Sequence, residues 1–164
     1  MQLLLDRGAS LHPLDERDPS VLYHAAAYAD YSTVQFLLNC GARADISSAL
    51  HAAAGQGKID VFNLLLAHAD EETIAKSSTA PHMAASFDHG SLVELMLDRG
   101  FDIEARDQRC INTPLHSVCA ADAAYPDIVR LLLSRGADIN ARNGKGDTPC
   151  ESALDLGCHT LTLP

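Results

Sequence analysis

Leu131-Leu132-Leu133-Ser134-Arg135-Gly136-Ala137 decides the fold, because the chain says it again and again. The phrase stands at Leu3–Ala9, at Phe36–Ala42, at Leu64–Asp70 and at Leu95–Phe101. A second phrase alternates with it: Ser20-Val21-Leu22-Tyr23-His24-Ala25-Ala26, then Ser48–Ala54, Thr79–Ala85, Thr113-Pro114-Leu115-His116 and Thr148–Ala153. Successive openings of this second phrase are separated by 28, 31, 34 and 35 residues. A period of that size means stacked units, each burying its apolar face against the next.

Each half of the unit has a physical reading. An opening Ser or Thr can accept from free backbone N–H groups as an N-cap. The prolines of Thr113-Pro114 and Thr148-Pro149 fit the first helical position, where a missing donor costs nothing. The Ala pairs that follow favour helix and let a neighbouring backbone come close. The second half carries a helical apolar stripe, for example Ile128, Leu131 and Leu132. Arg7, Arg99 and Arg135 stand in its last turn, well placed against the helix dipole. Gly8, Gly41, Gly100 and Gly136 supply the left-handed residue that ends it. One unit is therefore a short Ala-rich helix, a turn, a longer Leu-rich helix and a polar connection.

Composition agrees. The 164 residues are 47% hydrophobic but only 5% aromatic, without tryptophan. Alanine and leucine supply the apolarity, as closely packed helices require. Asp and Glu outnumber Lys and Arg by 22 to 12, a formal charge of −10. That balance argues against nucleic acid and anionic membrane as partners, since both need a basic face. No apolar run approaches the roughly 18–20 residues of a membrane span, and Asp6-Arg7 interrupts any secretory leader. Five scattered cysteines (Cys40, Cys110, Cys119, Cys150, Cys158) read as free thiols in a reducing compartment, cytoplasmic or nuclear.

At these residues the chain resembles the ankyrin repeat family. Thr113–His116 stands closest to the family's Thr-Pro-Leu-His opening, and Leu132–Ala141 reproduces its Leu-Leu-x-x-Gly-Ala ending with the following Asp138, Asn140 and Ala141. The resemblance covers nearly the whole chain and implies an all-α solenoid of helix–turn–helix units with hairpin-like finger loops. As one domain over 1–164, the units fall at 1–15 (partial), 16–46, 47–75, 76–109, 110–145 and 146–164 (partial). It also implies that His51, His82 and His116 are buried hydrogen-bonding members linking successive units, with Tyr23 in that place in the first full unit, its hydroxyl able to donate instead.

Departures from the pattern mark where this chain becomes individual. The connection from Gly41 to Ser48 is about five residues short of a full finger, so that hairpin is expected to be clipped. Ala69 replaces the stop glycine, so its helix is expected to run on towards Glu71 and Glu72, with Asp70–Ser78 an irregular, mobile acidic loop. Pro81 sits one place late and should distort the first turn of its helix. About two extra residues fall within Ala120–Tyr125. Met1–Leu5 and Leu154–Leu156 are not polar caps, which points to a fragment of a longer array or to end-to-end self-association.

Chemistry finds little purchase. Cys110, His116 and Cys119 lie near one another, as do Cys150, Cys158 and His159, but no Cys-x2-Cys pair offers zinc its usual spacing. His116 and Ser117 are adjacent on a helix, so their side chains diverge by about 100°. Gly55-Gln56-Gly57-Lys58 lacks the upstream glycine and following Ser/Thr of a phosphate loop, and reads as an inter-helix turn. The expected function is a non-catalytic scaffold without metal or cofactor, binding a protein partner through its concave face and fingers. Arg17, Tyr28, Gln56, Phe87, Arg109 and Lys145 are the expected contact residues, with Tyr28 and Phe87 as anchors. The acidic clusters Asp15-Glu16-Asp18 and Asp70-Glu71-Glu72 favour a basic partner. By the family resemblance, Asn140 is a candidate for hydroxylation. The alternative is a regulatory or targeting segment of a larger enzyme or multidomain protein.

Overall fold

The structure, a computed structural model, describes residues 20–43, 45–121 and 125–155. Ten helices occupy them: α1 Val21–Tyr28, α2 Tyr31–Asn39, α3 Ile46–Gly55, α4 Ile59–Leu66, α5 Glu71–Lys76, α6 Ala80–Ser86, α7 Gly90–Asp98, α8 Pro114–Cys119, α9 Pro126–Ser134 and α10 Pro149–Asp155. The helices fall into two layers. The inner layer stacks α1 on α3, α3 on α6, α6 on α8 and α8 on α10, while α2, α4, α7 and α9 form the outer layer, each packed on its own inner helix. This is the all-α repeat solenoid expected from the sequence.

Local chemistry sets most helix starts. The Ser20 hydroxyl accepts from the Tyr23 N–H at 3.1 Å, and the Asp30 carboxylate accepts from Thr33 at 2.9 Å. At α10 the Thr148 N–H donates to the Glu151 carboxylate at 2.8 Å, while the Glu151 N–H returns a bond to Thr148 Oγ1 at 3.3 Å. That reciprocal cap satisfies two otherwise orphaned groups. The outer helices α2, α7 and α9 stop at Gly41, Gly100 and Gly136, with φ of +88°, +85° and +93°. The following N–H of Ala42, Phe101 and Ala137 bonds back to Leu37, Met96 and Leu132.

The core shows how alanine and leucine divide the work. Ala26, Ala49, Ala53, Ala54, Ala80, Ala84 and Ala85 are buried in the inner layer, and Leu37, Phe62, Leu65, Val93, Met96 and Leu132 in the outer one. A fully buried leucine contributes about 1.5–3 kcal/mol, so each outer helix is held chiefly by two or three such side chains. Across α7 and α9, Arg135 reaches Glu94 and Asp98, both at 2.7 Å.

Three expectations are corrected. Residues 70–78 are not an irregular loop: Asp70 Oδ1 accepts from the Thr73 N–H at 2.8 Å and caps α5, with Lys76 paired to Glu72 at 2.8 Å. Nor does α4 run on past Ala69. It ends at Leu66, and the bonds His68 N–H to Leu65 and Ala69 N–H to Leu66 tighten the exit so that no positive φ is needed. The helix after the clipped connection opens at Asp45 (φ +69°) instead of Ser48, which lies inside α3. Displaced Pro81 has its expected local effect: Thr79 takes φ −92°, ψ 2° and gives α6 no side-chain cap.

Arg7, Gly8, Arg17, Met1–Leu5, Leu156, Cys158 and His159, together with 122–124 of the Ala120–Tyr125 connection, lie outside the described residues.

Candidate functional site

Inner helices α1, α3 and α6 lie side by side, so residues at their ends meet across unit boundaries. Tyr28, Gln56 and Phe87 converge on one trough with a cavity of about 130 Å³, shared with Tyr23, His51 and Met83. Tyr28 is 78% exposed and Phe87 54% exposed. The His24 ring stacks on Tyr28 with centroids 6.4 Å apart, and Tyr23 meets His24 edge-on at 5.6 Å. The trough therefore offers rings already held in place, which lowers the ordering cost of a partner. Met83, 38% exposed, escaped the sequence reading because a methionine inside an Ala-rich helix reads as core.

His51 lines the trough and is the first of three histidines that join successive units. A carbonyl can only accept, so His51 Nδ1–H donates to Ser47 at 2.7 Å, and its bare Nε2 takes the Thr79 hydroxyl proton at 2.7 Å. His82 Nε2–H donates to the Asn112 carbonyl at 2.8 Å, and His116 Nε2–H to Asp147 at 3.0 Å. Each histidine thus ties its unit to the next. His116 Nδ1 accepts from Thr113 Oγ1 at 2.8 Å. Thr79, the equivalent of Thr113, has its single hydroxyl proton engaged by His51, leaving buried His82 Nδ1 without a partner. Burial outweighs the bond to Asn112 and holds the His82 pKa below 6.5. Each ring binds one backbone carbonyl, and His51 and His116 also accept from a threonine hydroxyl, Thr79 and Thr113. Tyr23 packs its ring on His24 in the corresponding place.

Arg109 and Lys145 stand on two fingertips, between α7 and α8 and between α9 and α10. Asp107 Oδ1 accepts from the Arg109 and Cys110 N–H groups at 2.9 and 2.7 Å, and Asn143 Oδ1 does the same for Lys145 and Asp147 at 2.9 and 3.0 Å. The fingertips are joined: Gly144 N–H donates to the Cys110 carbonyl at 2.7 Å, and Arg106 Nη1 donates to the carbonyls of Ile111 and Arg142. A cavity of about 310 Å³ beside them is lined by Cys110, Asn112, Asn143, Lys145 and Ser152, among others. Ile111 sits at the tip with φ +57° and 51% exposure. Its signal was in the sequence, an isoleucine two residues before Thr113 where Gly146 stands two before Thr148.

The structure thus brings Tyr28, Gln56 and Phe87 together, places Arg109 and Lys145 on joined fingertips, and leaves Asn140 exposed after α9. Among the described residues no group of three or more His, Cys, Asp or Glu is arranged to hold a metal, and no helix is long and apolar enough to cross a membrane.

A family model of ankyrin repeats, three copies long, matches residues 1–76, 22–107, 50–143 and 81–161. The transient receptor potential cation channel subfamily A member 1 of Drosophila melanogaster is 29% identical over 106 residues, which covers 57% of this chain and 9% of that protein. The chain spans only a small part of the curated relative it matches.

Proposed function

The chain belongs to the ankyrin repeat family, and we propose that it is a non-catalytic scaffold that binds a protein partner through its concave face and fingers. One observation carries the proposal: Tyr28, Gln56 and Phe87, from three successive units, share one trough. Exposed aromatic side chains contribute disproportionately to binding, and these two lie over helices whose cores are already closed. The acidic charge steers partner surfaces that are basic, an attraction that salt screens.

The decisive experiment is capture from native cells followed by mass spectrometry, comparing the parent with Tyr28→Ala/Phe87→Ala. The double variant should lose the captured partner while its thermal unfolding stays close to the parent's, because both rings are largely exposed. Undiminished capture would sink this assignment of the surface.

A second reading, a regulatory or targeting segment of a larger protein, is favoured by the relative in which the matched stretch is 9% of the whole. Reading the coding sequence on either side tests it. Exposed Asn140 keeps its place as a proposed hydroxylation position, for which intact-mass spectrometry of protein from native cells is the test.

A further inference from the structure

We propose that the trough takes an arginine side chain of the protein partner, its guanidinium laid against the Tyr28 and Phe87 rings. This rests on the reading of the trough as the partner-binding surface and adds the chemistry of the group that enters it.

The shape of the trough comes from the register of three units. Tyr23, His51 and His82 hold one place in the inner helices α1, α3 and α6. The residues next after them are His24, Ala52 and Met83, and five after them come Tyr28, Gln56 and Phe87. The middle unit thus sets alanine where its neighbours carry His24 and Met83, with Gly55 just before Gln56. A Cβ on Gly55 would lie 3.3 Å from Met83 Cε and 3.9 Å from Phe87 Cδ2. Gly55 ends α3 without a positive φ, so its backbone does not call for glycine, a residue that weakens a helix. Ala52 and Gly55 therefore form a floor between higher walls on α1 and α6, and the cavity of about 130 Å³ is the space they leave.

The walls present ring faces. His24 stacks on Tyr28 and steadies the phenol, which stays largely exposed. The Phe87 ring edge rests over Gly55, with half of the residue in solvent. An aromatic face attracts a cation, and a guanidinium, planar and weakly hydrated, stacks on it better than an ammonium does. Met83 and the Ala52–Gly55 floor suit the methylene stem of an arginine. The Gln56 side-chain amide supplies an oxygen that can accept from its N–H groups.

Charge selects a cation. Residues 20–89, which carry the trough, hold seven carboxylates against three cations, Arg43, Lys58 and Lys76. Among the described residues the lining contains no Asp, Glu, Lys or Arg, so entry breaks no ion pair. Just past the lining, the exits from α1, α3 and α6 (29–30, 57–60 and 88–89) carry Asp30, Asp60 and Asp88 against Lys58. Lys58 Nζ donates to the Ala29 carbonyl at 2.7 Å, and Lys76 pairs with Glu72. Arg43 precedes α3, at the opposite end of that helix from Gln56. His51 and His89 donate to the carbonyls of Ser47 and Gly55. The balance at the trough is therefore acidic, and its resident cations are engaged or distant.

The test is NMR titration of the full chain, read from the side-chain signals of Tyr28, Met83 and Phe87. The probe is the peptide acetyl-Gly-Gly-Arg-Gly-Gly-amide, compared with versions carrying citrulline, lysine or norleucine in place of arginine. Citrulline keeps the arginine shape without the charge. The arginine peptide should bind about threefold to fivefold more tightly than the citrulline one. It should also bind more tightly than the lysine one, and more weakly as salt rises. Tyr28→Leu/Phe87→Leu keeps apolar bulk but removes the ring faces, so it should erase the preference over citrulline with Tm close to the parent's. Gly55→Leu fills the floor on backbone that accepts any residue, and should weaken the arginine peptide about fivefold or more while circular dichroism stays helical. Equal binding of arginine and citrulline overturns the proposal, as does a tighter lysine or norleucine peptide, or an absence of shifts at the three reporters. Any of those results, with capture lost in Tyr28→Ala/Phe87→Ala, refutes the guanidinium alone and leaves the trough as the partner's surface. Undiminished capture by that variant sinks both readings.

Discussion

Replacing Gly57 by alanine tests the joint between α3 and α4, and the structure supplies the magnitude. Gly57 has φ +65°, and a Cβ there would lie 2.5 Å from His89 Nδ1 and 2.8 Å from Cγ and Cε1 of the same ring. The ring is pinned, since its Nε2–H donates to the Gly55 carbonyl at 3.0 Å. Left-handed backbone costs alanine about 1–2 kcal/mol. Displacing a packed ring adds about 1–3 kcal/mol, and losing its hydrogen bond about 0.5–1.5 kcal/mol. The stiffer unfolded chain returns about 0.4–1 kcal/mol. Gly57→Ala should therefore destabilise by about 1.5–6 kcal/mol, a large share of the roughly 5–15 kcal/mol typical of a domain. Gly100 has a similar φ of +85° but nothing within 4 Å of its Cβ position, so Gly100→Ala bears only the backbone cost, about 1 kcal/mol. Urea denaturation followed by circular dichroism measures both. His89→Ala removes the clash, so the Gly57→Ala/His89→Ala pair should show coupling of about 1–3 kcal/mol. Equal destabilisation at Gly57 and Gly100, or strict additivity in the double variant, would refute the reasoning.

Leu132 is fully buried in α9, so Leu132→Ala should cost about 2–5 kcal/mol by urea denaturation and loosen the contacts of α9 with α7 and α8. His82 is held neutral in the fold with a pKa below its unfolded 6.5. Between those values the unfolded chain binds the extra proton, so stability falls as pH drops from about 6.5 towards the folded pKa. His82→Gln, which keeps a donor for Asn112, should flatten that part of the stability–pH curve, and an unchanged slope would remove His82 as its cause. Burial, reinforced by nearby Cys150, pushes the Cys119 thiol up to about 11, while Cys110 and Cys150 are exposed. Iodoacetamide at mildly alkaline pH should label Cys110 and Cys150 in the folded protein and Cys119 only after unfolding. Fast native labelling of Cys119 would contradict its placement.

The layers were legible because their determinants are local and repeated. Ser20 and Thr113 cap helices through their own side chains, and Gly41, Gly100 and Gly136 end them through their own backbones. The histidine ties could be inferred from the family resemblance, although the rings' partners are some thirty residues away. What escaped depended on competition between neighbours. Asp70 can sit in an acidic loop or cap a helix, and the Thr73 N–H three residues on decides for the cap. Ser48 looks like an opening, but Asp45 is reached first and accepts φ +69°. For the candidate site, each exposed aromatic was visible in sequence, whereas its convergence with Gln56 and Met83 depended on how three inner helices align. The coupling of the two fingertips through Gly144 and Arg106 had no sequence signal beyond the isoleucine at 111.

The unit with the most degraded consensus is also the one whose junction is least satisfied. Inserting α5 where a finger belongs moves Thr79 towards His51, which explains the stranded lone pair on His82. On the outer side, α4 and α7 pack against each other less than the neighbouring pairs α2–α4 and α7–α9. The gap is a cavity of about 340 Å³ among Asn63, Leu66, Ile74, Arg99 and Phe101, and Asn63 Oδ1 is the other buried side-chain oxygen or nitrogen without a partner among the described residues. Unsatisfied buried groups and missing contacts both lower the free energy of local opening. The junction is held by the inner contact of α3 with α6, by α5 on α3, by the His89–Gly55 bond and by the Phe62–Phe101 rings, and Gln56, Met83 and Phe87 lie beside the inner contact. A partner seated in the trough would bridge α3 and α6 across this junction, so binding there adds to the cohesion of the array.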